Sequence, residues 1–172
     1  HNIILYAKWI SIEKWTPLRY ISSVSDLVLF AKSVERLDGY KGLTVLLTEN
    51  IDMDSVTDFE PIDNFCGTLD GQGHTISNFR IRSQKRYVGL FGLSECGATV
   101  RNIGFDSSCR IEFNRNTSAR RRRDVYESSS SSVHIGSVFG SCRSTNSNPC
   151  VIDNVVSGAE VVYSAGSAST NA

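Results

Sequence analysis

Five carboxylates crowd one stretch of the chain, Asp52, Asp54, Asp58, Glu60 and Asp63, and paired acids at short spacing are what glycoside hydrolysis or calcium binding needs. Asp52 and Asp54 alternate, so on a strand they would share one face. No Arg or Lys stands beside them at a spacing that suggests substrate binding. The plainer reading is therefore a set of solvated acids beside a turn. The histidines His1, His74 and His134 are scattered without a metal-ligand spacing, and no GxSxG elbow accompanies the many serines. The residues point to no catalytic constellation and no cofactor.

Cys66, Cys96, Cys109, Cys142 and Cys150 form no CxxC pair, which argues against zinc or thioredoxin-like chemistry and for disulfides in an oxidising compartment. The odd count leaves at least one unpaired. Cys142 and Cys150 bracket a polar loop that a bridge would close. Cys96 could instead pair with Cys142 or with Cys109. Asn116-Thr117-Ser118 is a glycosylation sequon, and Arg120, Arg121, Arg122 and Arg123 follow it, flanked by Ser128 to Ser132. Like charges in a row resist burial, so this is expected to be an exposed insertion spanning 114–132, serving as a processing site or a basic patch.

Asp70, Gly71 and Gly73 supply backbone freedom for φ > 0, and the expectation is a sharp reversal between Thr68-Leu69 and Thr75-Ile76. The Gly71-x-Gly73 spacing lacks the third glycine and the helix of a phosphate loop.

The elements that must hold these residues are mostly short and β-like. One helix stands apart: Leu27, Phe30, Ala31, Val34 and Leu37 fall at spacings of three and four, which predicts a helix over Ser25 to Leu37. Ser23 and Asp26 fit a capping box, and Asp38-Gly39 ends the run. Beyond it, nine β-like runs lie between Leu43 and Tyr163, at Leu43–Leu47, His74–Ile76, Phe79–Ile81, Tyr87–Phe91, Val100–Phe105, Ile111–Phe113, Val133–Phe139, Val151–Val156 and Val161–Tyr163.

Two of these regions repeat. Val88-Gly89-Leu90-Phe91-Gly92 followed by Thr99 to Ile103, with Asn102, parallels Ile135-Gly136-Ser137-Val138-Phe139-Gly140 followed by Val151 to Val155, with Asn154. One unit cannot bury its own apolar face, but stacked units make a continuous core. Val88 and Ile135 open the copies 47 residues apart, which suits two units of about 20 to 25 residues each.

Asp26-Leu27 with Phe30-Ala31, then Leu47 to Met53, Pro61-Ile62, Phe65 to Phe79 and Val88 to Gly92 resemble, in content and order, the β-helical proteins that carry the GLUG motif. The likeness runs from about Ser22 to Val156. It implies a right-handed parallel β-helix of the kind found in surface proteins, adhesins and non-catalytic parts of large secreted peptidases. Cysteines at Cys66 and Cys96 and the stretch Asn114 to Ser132 depart from that pattern. Leu5-Tyr6-Ala7-Lys8-Trp9 resembles the closing strand of small β-rich repeats of the Listeria and Bacteroides type.

The expected organisation is the end of a preceding repeat and a linker over 1–16, a helical cap over 17–42, an all-β solenoid over 43–165 and a tail over 166–172. Lys plus Arg equals Asp plus Glu at 18 each, so no field gathers nucleic acid, and no apolar run reaches bilayer-spanning length. The expected role is a non-catalytic extracellular or cell-surface module for structure or adhesion, binding a protein or glycan or neighbouring copies in a fibre. The rivals are a carbohydrate-active enzyme domain and an accessory segment of a secreted peptidase.

Overall fold

A computed structural model describes residues 17–57, 59–115, 132–145 and 147–165. The expected repeat end and linker at 1–16, Asp58, Asn116, Arg120 to Arg123 and the tail at 166–172 lie outside the described residues.

The described chain is built mainly of short strands in parallel sheets, with one α-helix, α1 (Val24–Val34). Ser23 caps it, its hydroxyl accepting the Asp26 N–H at 3.2 Å. The Asp26 carboxylate also reaches back to Ser22, accepting its N–H at 3.0 Å and its hydroxyl at 2.9 Å. α1 ends three residues earlier than the apolar spacing predicts. A 3-10 helix, Glu35–Tyr40, follows, and Asp38, Gly39 and Tyr40 in succession take positive φ. Leu27, Phe30 and Val34 are fully buried, so the apolar stripe of α1 is spent on the core.

In chain order the strands are β1 (Tyr20–Ile21), β2 (Thr44–Leu47), β3 (Ile51–Asp52), β4 (Thr68–Asp70), β5 (Thr75–Ser77), β6 (Arg80–Ser83), β7 (Tyr87–Val88), β8 (Phe91–Ser94), β9 (Thr99–Phe105), β10 (Arg110–Arg115), β11 (His134–Ile135), β12 (Phe139–Cys142), β13 (Val151–Ser157) and β14 (Glu160–Ala165). Every named pairing is parallel. One sheet runs β1-β2-β4-β9-β5-β3 with β13 added on β9, and the others run β14-β10-β6, β11-β7 and β12-β8. Apart from β1 and β2, strands adjacent in sequence do not pair with each other, and from β6 onward the chain visits the four sheets in a repeating order.

Several sequence expectations shift here. β1, β3 and β4 are absent from the sequence reading because two or three residues carry no measurable alternation. Among the described residues sheet structure begins at Tyr20 rather than Leu43, since Tyr20 pairs with Leu46 and Ile21 with Leu47. Asn114 and Arg115 belong to β10, not to an insertion. The two repeat copies are direct neighbours: Val88 pairs with Ile135, Phe91 with Phe139, and Thr99 with Val151. Their 47-residue separation therefore spans one unit and not two, because the connection between β10 and β11 lengthens it.

The sharp reversal expected at Asp70 is also absent. β4 and β5 do not pair with each other; β4 pairs along Thr99 to Arg101 and β5 along Gly104-Phe105, so both lie on the same edge of β9. Between those halves, Asn102 takes φ 52° and bends the strand. Asn154 takes φ 49° at the same place in β13. Asparagine tolerates this left-handed region better than most residues because its side chain bonds locally. Here the amides bond across layers: Asn154 Nδ2 donates to Asn102 Oδ1 at 2.9 Å, and Asn102 Nδ2 donates to Asp70 Oδ1 at 3.1 Å. Gly71 does not supply positive φ; Gln72 and Gly73 do. Gly71 is needed because a side chain there would strike the Asn102 carbonyl and Ile103.

An aromatic column runs through the core beneath these ladders. Phe30 on α1 meets Phe65 edge-on at 5.5 Å, Phe65 stacks on Phe91 at 4.6 Å, and Phe91 stacks on Phe139 at 5.3 Å. The motif glycines let the backbones close around it. A side chain at Gly92 would collide with the Asp63 carboxylate, and one at Gly89 with the carbonyls of Gly136 and Phe91.

Replacing Asn102 with Ala leaves the left-handed backbone and removes both amide bonds, with an expected loss of about 2 to 4 kcal/mol. Asn102→Gly should lose roughly 1 kcal/mol less, because only the bonds are missing. Urea unfolding of the three proteins measures both; equal stability of Asn102→Ala and the parent would contradict the corner's role.

Candidate functional site

The carboxylates singled out in the sequence separate into two groups. β3 contains only Ile51 and Asp52, and Asp54 lies in the turn beyond it, so the two do not share a strand face. Instead the Asp54 N–H donates to Asp52 Oδ1 at 3.1 Å, and Asn78 Nδ2 donates to the same oxygen at 2.8 Å. The Asn78 side-chain bond, with the Asp54 N–H second, lowers the Asp52 pKa below the ordinary carboxylate range. Asp52 is thus a cross-layer acceptor.

Glu60 and Asp63 do come together, around Lys85 Nζ at 3.7 Å and 3.1 Å. Asp63 Oδ1 also accepts the Leu93 N–H at 3.0 Å. They border a groove of about 600 Å³ between α1 and the segment 56–64, with Val28 and Ala31 on one wall and Phe59 and Pro61 on the other. A second hollow of about 280 Å³ shares Asp63, Asn64 and Lys85 and continues to Arg86 and Tyr87. There the Arg86 guanidinium lies 5.4 Å from the Tyr87 ring centroid, and the His134 ring stacks on Tyr87 with centroids 5.3 Å apart. The two hollows join through Asp63, Asn64 and Lys85 into one trough lined by apolar and charged side chains alike, with the half-buried Tyr87 at one end. Among the described residues, no three His, Cys, Asp or Glu side chains are placed to hold a metal ion. The sequence carried one usable signal for the trough, Glu60 and Asp63 on either side of Pro61-Ile62; Lys85 and Tyr87 arrive only through the fold.

His74 sits at the corner, its N–H donating to the Gly71 carbonyl at 2.8 Å and its carbonyl accepting the Gly104 N–H at 3.0 Å. The His134 ring nitrogen Nε2 lies 3.1 Å from the Ser132 hydroxyl.

Two disulfides form, Cys66–Cys96 with Cα atoms 5.4 Å apart and Cys142–Cys150 with Cα atoms 6.1 Å apart. The alternatives of Cys96 with Cys142 or with Cys109 do not occur, because Cys66 and Cys96 precede the paired strands β4 and β9 and so stack at one corner. Chain-entropy reasoning over sequence separations of 30 and 8 residues gives roughly 3.5 and 2.5 kcal/mol. The loop closed by the second bridge docks on the first: Asn148 Nδ2 lies 2.7 Å from the Cys96 carbonyl, 3.0 Å from that of Gly97 and 3.3 Å from that of Cys66. Cys109 is a buried free thiol that donates to the Ile76 carbonyl at 3.2 Å, and burial raises its pKa.

Asp70, at the Asp70-Gly71 corner, is the most embedded acid among the described residues. Burial works against its charge, but the Asn102 amide, the Gln72 N–H at 3.0 Å and the Arg101 guanidinium at 2.9 Å outweigh it and lower the pKa.

No protein-family model matches the chain, and no solved structure matches it. A stretch of 46 residues, 26% of the chain, is 46% identical to part of halomucin from Haloquadratum walsbyi (strain DSM 16790 / HBSQ001). The matched stretch amounts to 0% of halomucin's own length after rounding. Among the described residues no helix is long and apolar enough to cross a membrane.

A carboxylate whose pKa is lowered on folding adds stability above its unfolded value and loses it as pH falls through the folded one. Stability should therefore fall as pH drops below about 4. Asp70→Asn should flatten that fall while costing about 1.5 to 3 kcal/mol at neutral pH, where the charged hydrogen bonds are lost. Denaturant midpoints across an acid series check this, and identical slopes for the two proteins would contradict it.

Proposed function

We propose that the chain is a non-catalytic structural or adhesion module of an extracellular or cell-surface protein, built as a right-handed parallel β-helix related to the proteins that carry the GLUG motif. The observation that carries the reading is the register: Val88 faces Ile135, Phe91 faces Phe139 and Thr99 faces Val151 on neighbouring parallel strands, with one extra residue of the second copy taken up between Ile135 and Phe139. Stacking of this kind makes a stiff, extendable rod whose sides are available for contact.

The chemistry of the polar residues supports a structural role. Asp52, Asp70 and Asp106 are engaged in backbone and amide hydrogen bonds that hold corners. On the outer face of the β14-β10-β6 ladder, Glu112 takes Arg82 at 3.3 Å and Arg110 at 3.7 Å, and Arg110 also pairs with Glu160. These charges tie one layer to the next. Two disulfides suit an oxidising compartment, and the likeness to a stretch of a protein named as a mucin points to the same setting.

The convergence of Glu60 and Asp63 on the trough favours one rival, a carbohydrate-active domain that would use them as an acid pair. Lys85 reaches both, at 3.7 Å and 3.1 Å, and Asp63 is also tied to the Leu93 N–H, which suits a charged rim that contacts a protein or glycan surface.

A panel of soluble polysaccharides separates the two. The chain should release no reducing ends and no unsaturated products, while pull-down on immobilised glycans or proteins retains it on at least one surface. Turnover that disappears in Glu60→Gln or Asp63→Asn would overturn the non-catalytic reading.

A further inference from the structure

The two disulfides differ in what surrounds them, although all four of their cysteines are half-buried. Cys66–Cys96 is wedged between layers. Cys66 Sγ lies 3.2 Å from the Asn64 carbonyl oxygen and packs against Gly39, where an added side chain would strike it. Cys96 Sγ lies 3.9 Å from the Phe65 carbonyl oxygen and 4.0 Å from the Ser94 hydroxyl. Cys142–Cys150 instead closes a loop on which Arg143, Ser144, Thr145, Ser147 and Pro149 are exposed.

That loop is fastened against the corner that holds the first pair. Asn148 Nδ2 donates to the carbonyls of Cys66, Cys96 and Gly97. The Gly97 N–H donates to the Arg143 carbonyl at 2.9 Å, and the Arg143 N–H donates to the Ser94 carbonyl at 2.8 Å. Arg143 Nη1 also reaches Glu95 Oε1 at 2.8 Å. The Asn148 carbonyl stands so close to Gly97 that a side chain there would collide with it. A thiolate opens a disulfide by attacking one of its sulfurs, so the rate depends on access to that sulfur. The carbonyl oxygens beside Cys66 and Cys96, and the loop docked on their corner, both obstruct such an attack.

We infer that Cys142–Cys150 is a redox site for an external dithiol, and that while it is closed its loop withholds Cys66–Cys96 from the same reaction. In the first exchange a thiolate of the dithiol attacks one sulfur of Cys142–Cys150, a mixed disulfide forms and the other cysteine leaves as a thiolate. The second thiol of the reagent then attacks the mixed disulfide. The dithiol departs oxidised to its own disulfide, and its two protons end on Cys142 and Cys150. With the covalent tie gone, hydrogen bonds and the Arg143–Glu95 ion pair alone hold the loop to the corner, and its departure opens Cys66–Cys96 to a second round. The first round loosens the loop between β12 and β13, whereas the second removes the covalent link between successive layers. The inference rests on the disulfides and their surroundings and not on adhesion, so loss of glycan or protein binding would leave it standing.

Timed reduction of the 172-residue chain with dithiothreitol, without denaturant, quenched by alkylation and mapped by peptide mass, tests it. Cys142 and Cys150 should be labelled first, with Cys66 and Cys96 at least about tenfold slower. Cys109, the buried thiol that donates to the Ile76 carbonyl, reports global unfolding and should stay unlabelled while Cys142 and Cys150 react. Asn148→Ala, which keeps both disulfides, should speed the reduction of Cys66–Cys96 at least about threefold by freeing the loop from the corner. Cys142→Ser combined with Cys150→Ser should speed it at least about tenfold. Circular dichroism checks that each variant is folded, and should the double variant fail to fold, Asn148→Ala decides. Equal rates for the two pairs in the parent, Cys66–Cys96 reacting first, Cys109 labelled together with Cys142 and Cys150, or reduction of Cys66–Cys96 at the parent's rate in the folded variants would each overturn the inference.

Discussion

The bend at Asn102 is the constraint on which the rest depends. A seven-residue strand, β9, must serve two ladder segments, β4 along its first half and β5 along its second, and it can do so only if its backbone turns between them. The left-handed conformation that makes the turn exposes one side-chain amide at the same height in each layer. Asp70, Asn102 and Asn154 then bond in a line along the stack. Shifting a layer by one residue would put Arg101 or Ile103 in place of Asn102, or Asp153 or Val155 in place of Asn154, and break these bonds at about 0.5 to 1.5 kcal/mol each.

Register held at the corner carries through to the core. With Thr99 opposite Val151 and Phe91 opposite Phe139, β-branched side chains face each other and phenyl faces phenyl, so the column from Phe30 to Phe139 is a run of phenyl rings. The disulfides reinforce the same alignment rather than replace it. Cys66–Cys96 joins two successive layers just before β4 and β9, and the loop closed by Cys142–Cys150 places Asn148 against that corner. The glycines of the repeat belong to the same account: Gly92 stands where the Asp63 side chain crosses to reach the Leu93 N–H.

Much of this was legible in the amino-acid sequence, for reasons that differ by element. The helix was visible because eleven residues give a stripe three turns to appear in, while its end was not, since the left-handed run at Asp38 to Tyr40 has only Gly39 as a marker. The repeat copies were readable as copies, yet their spacing misled because loop length says nothing about how many layers intervene. β1 and β3, at two residues each, are defined by their partners alone. Asp70-Gly71 announced a corner, but Gly71 serves close approach to Asn102 and not positive φ. The partner of Cys96 could not be inferred from spacing, because Cys66 and Cys96 meet through the pairing of β4 with β9. The trough was least legible of all: its acids lie together in sequence, but Lys85, Arg86 and Tyr87 reach it from another layer.

The account stands on the register of neighbouring layers, and nuclear Overhauser contacts in solution report it directly. Cross-strand contacts between the backbones of Thr99 and Val151 and of Ile103 and Val155, with ring contacts between Phe91 and Phe139, are the predicted result. Contacts that set Val151 against a residue one or more places from Thr99, or that show β9 and β13 running antiparallel, would contradict it.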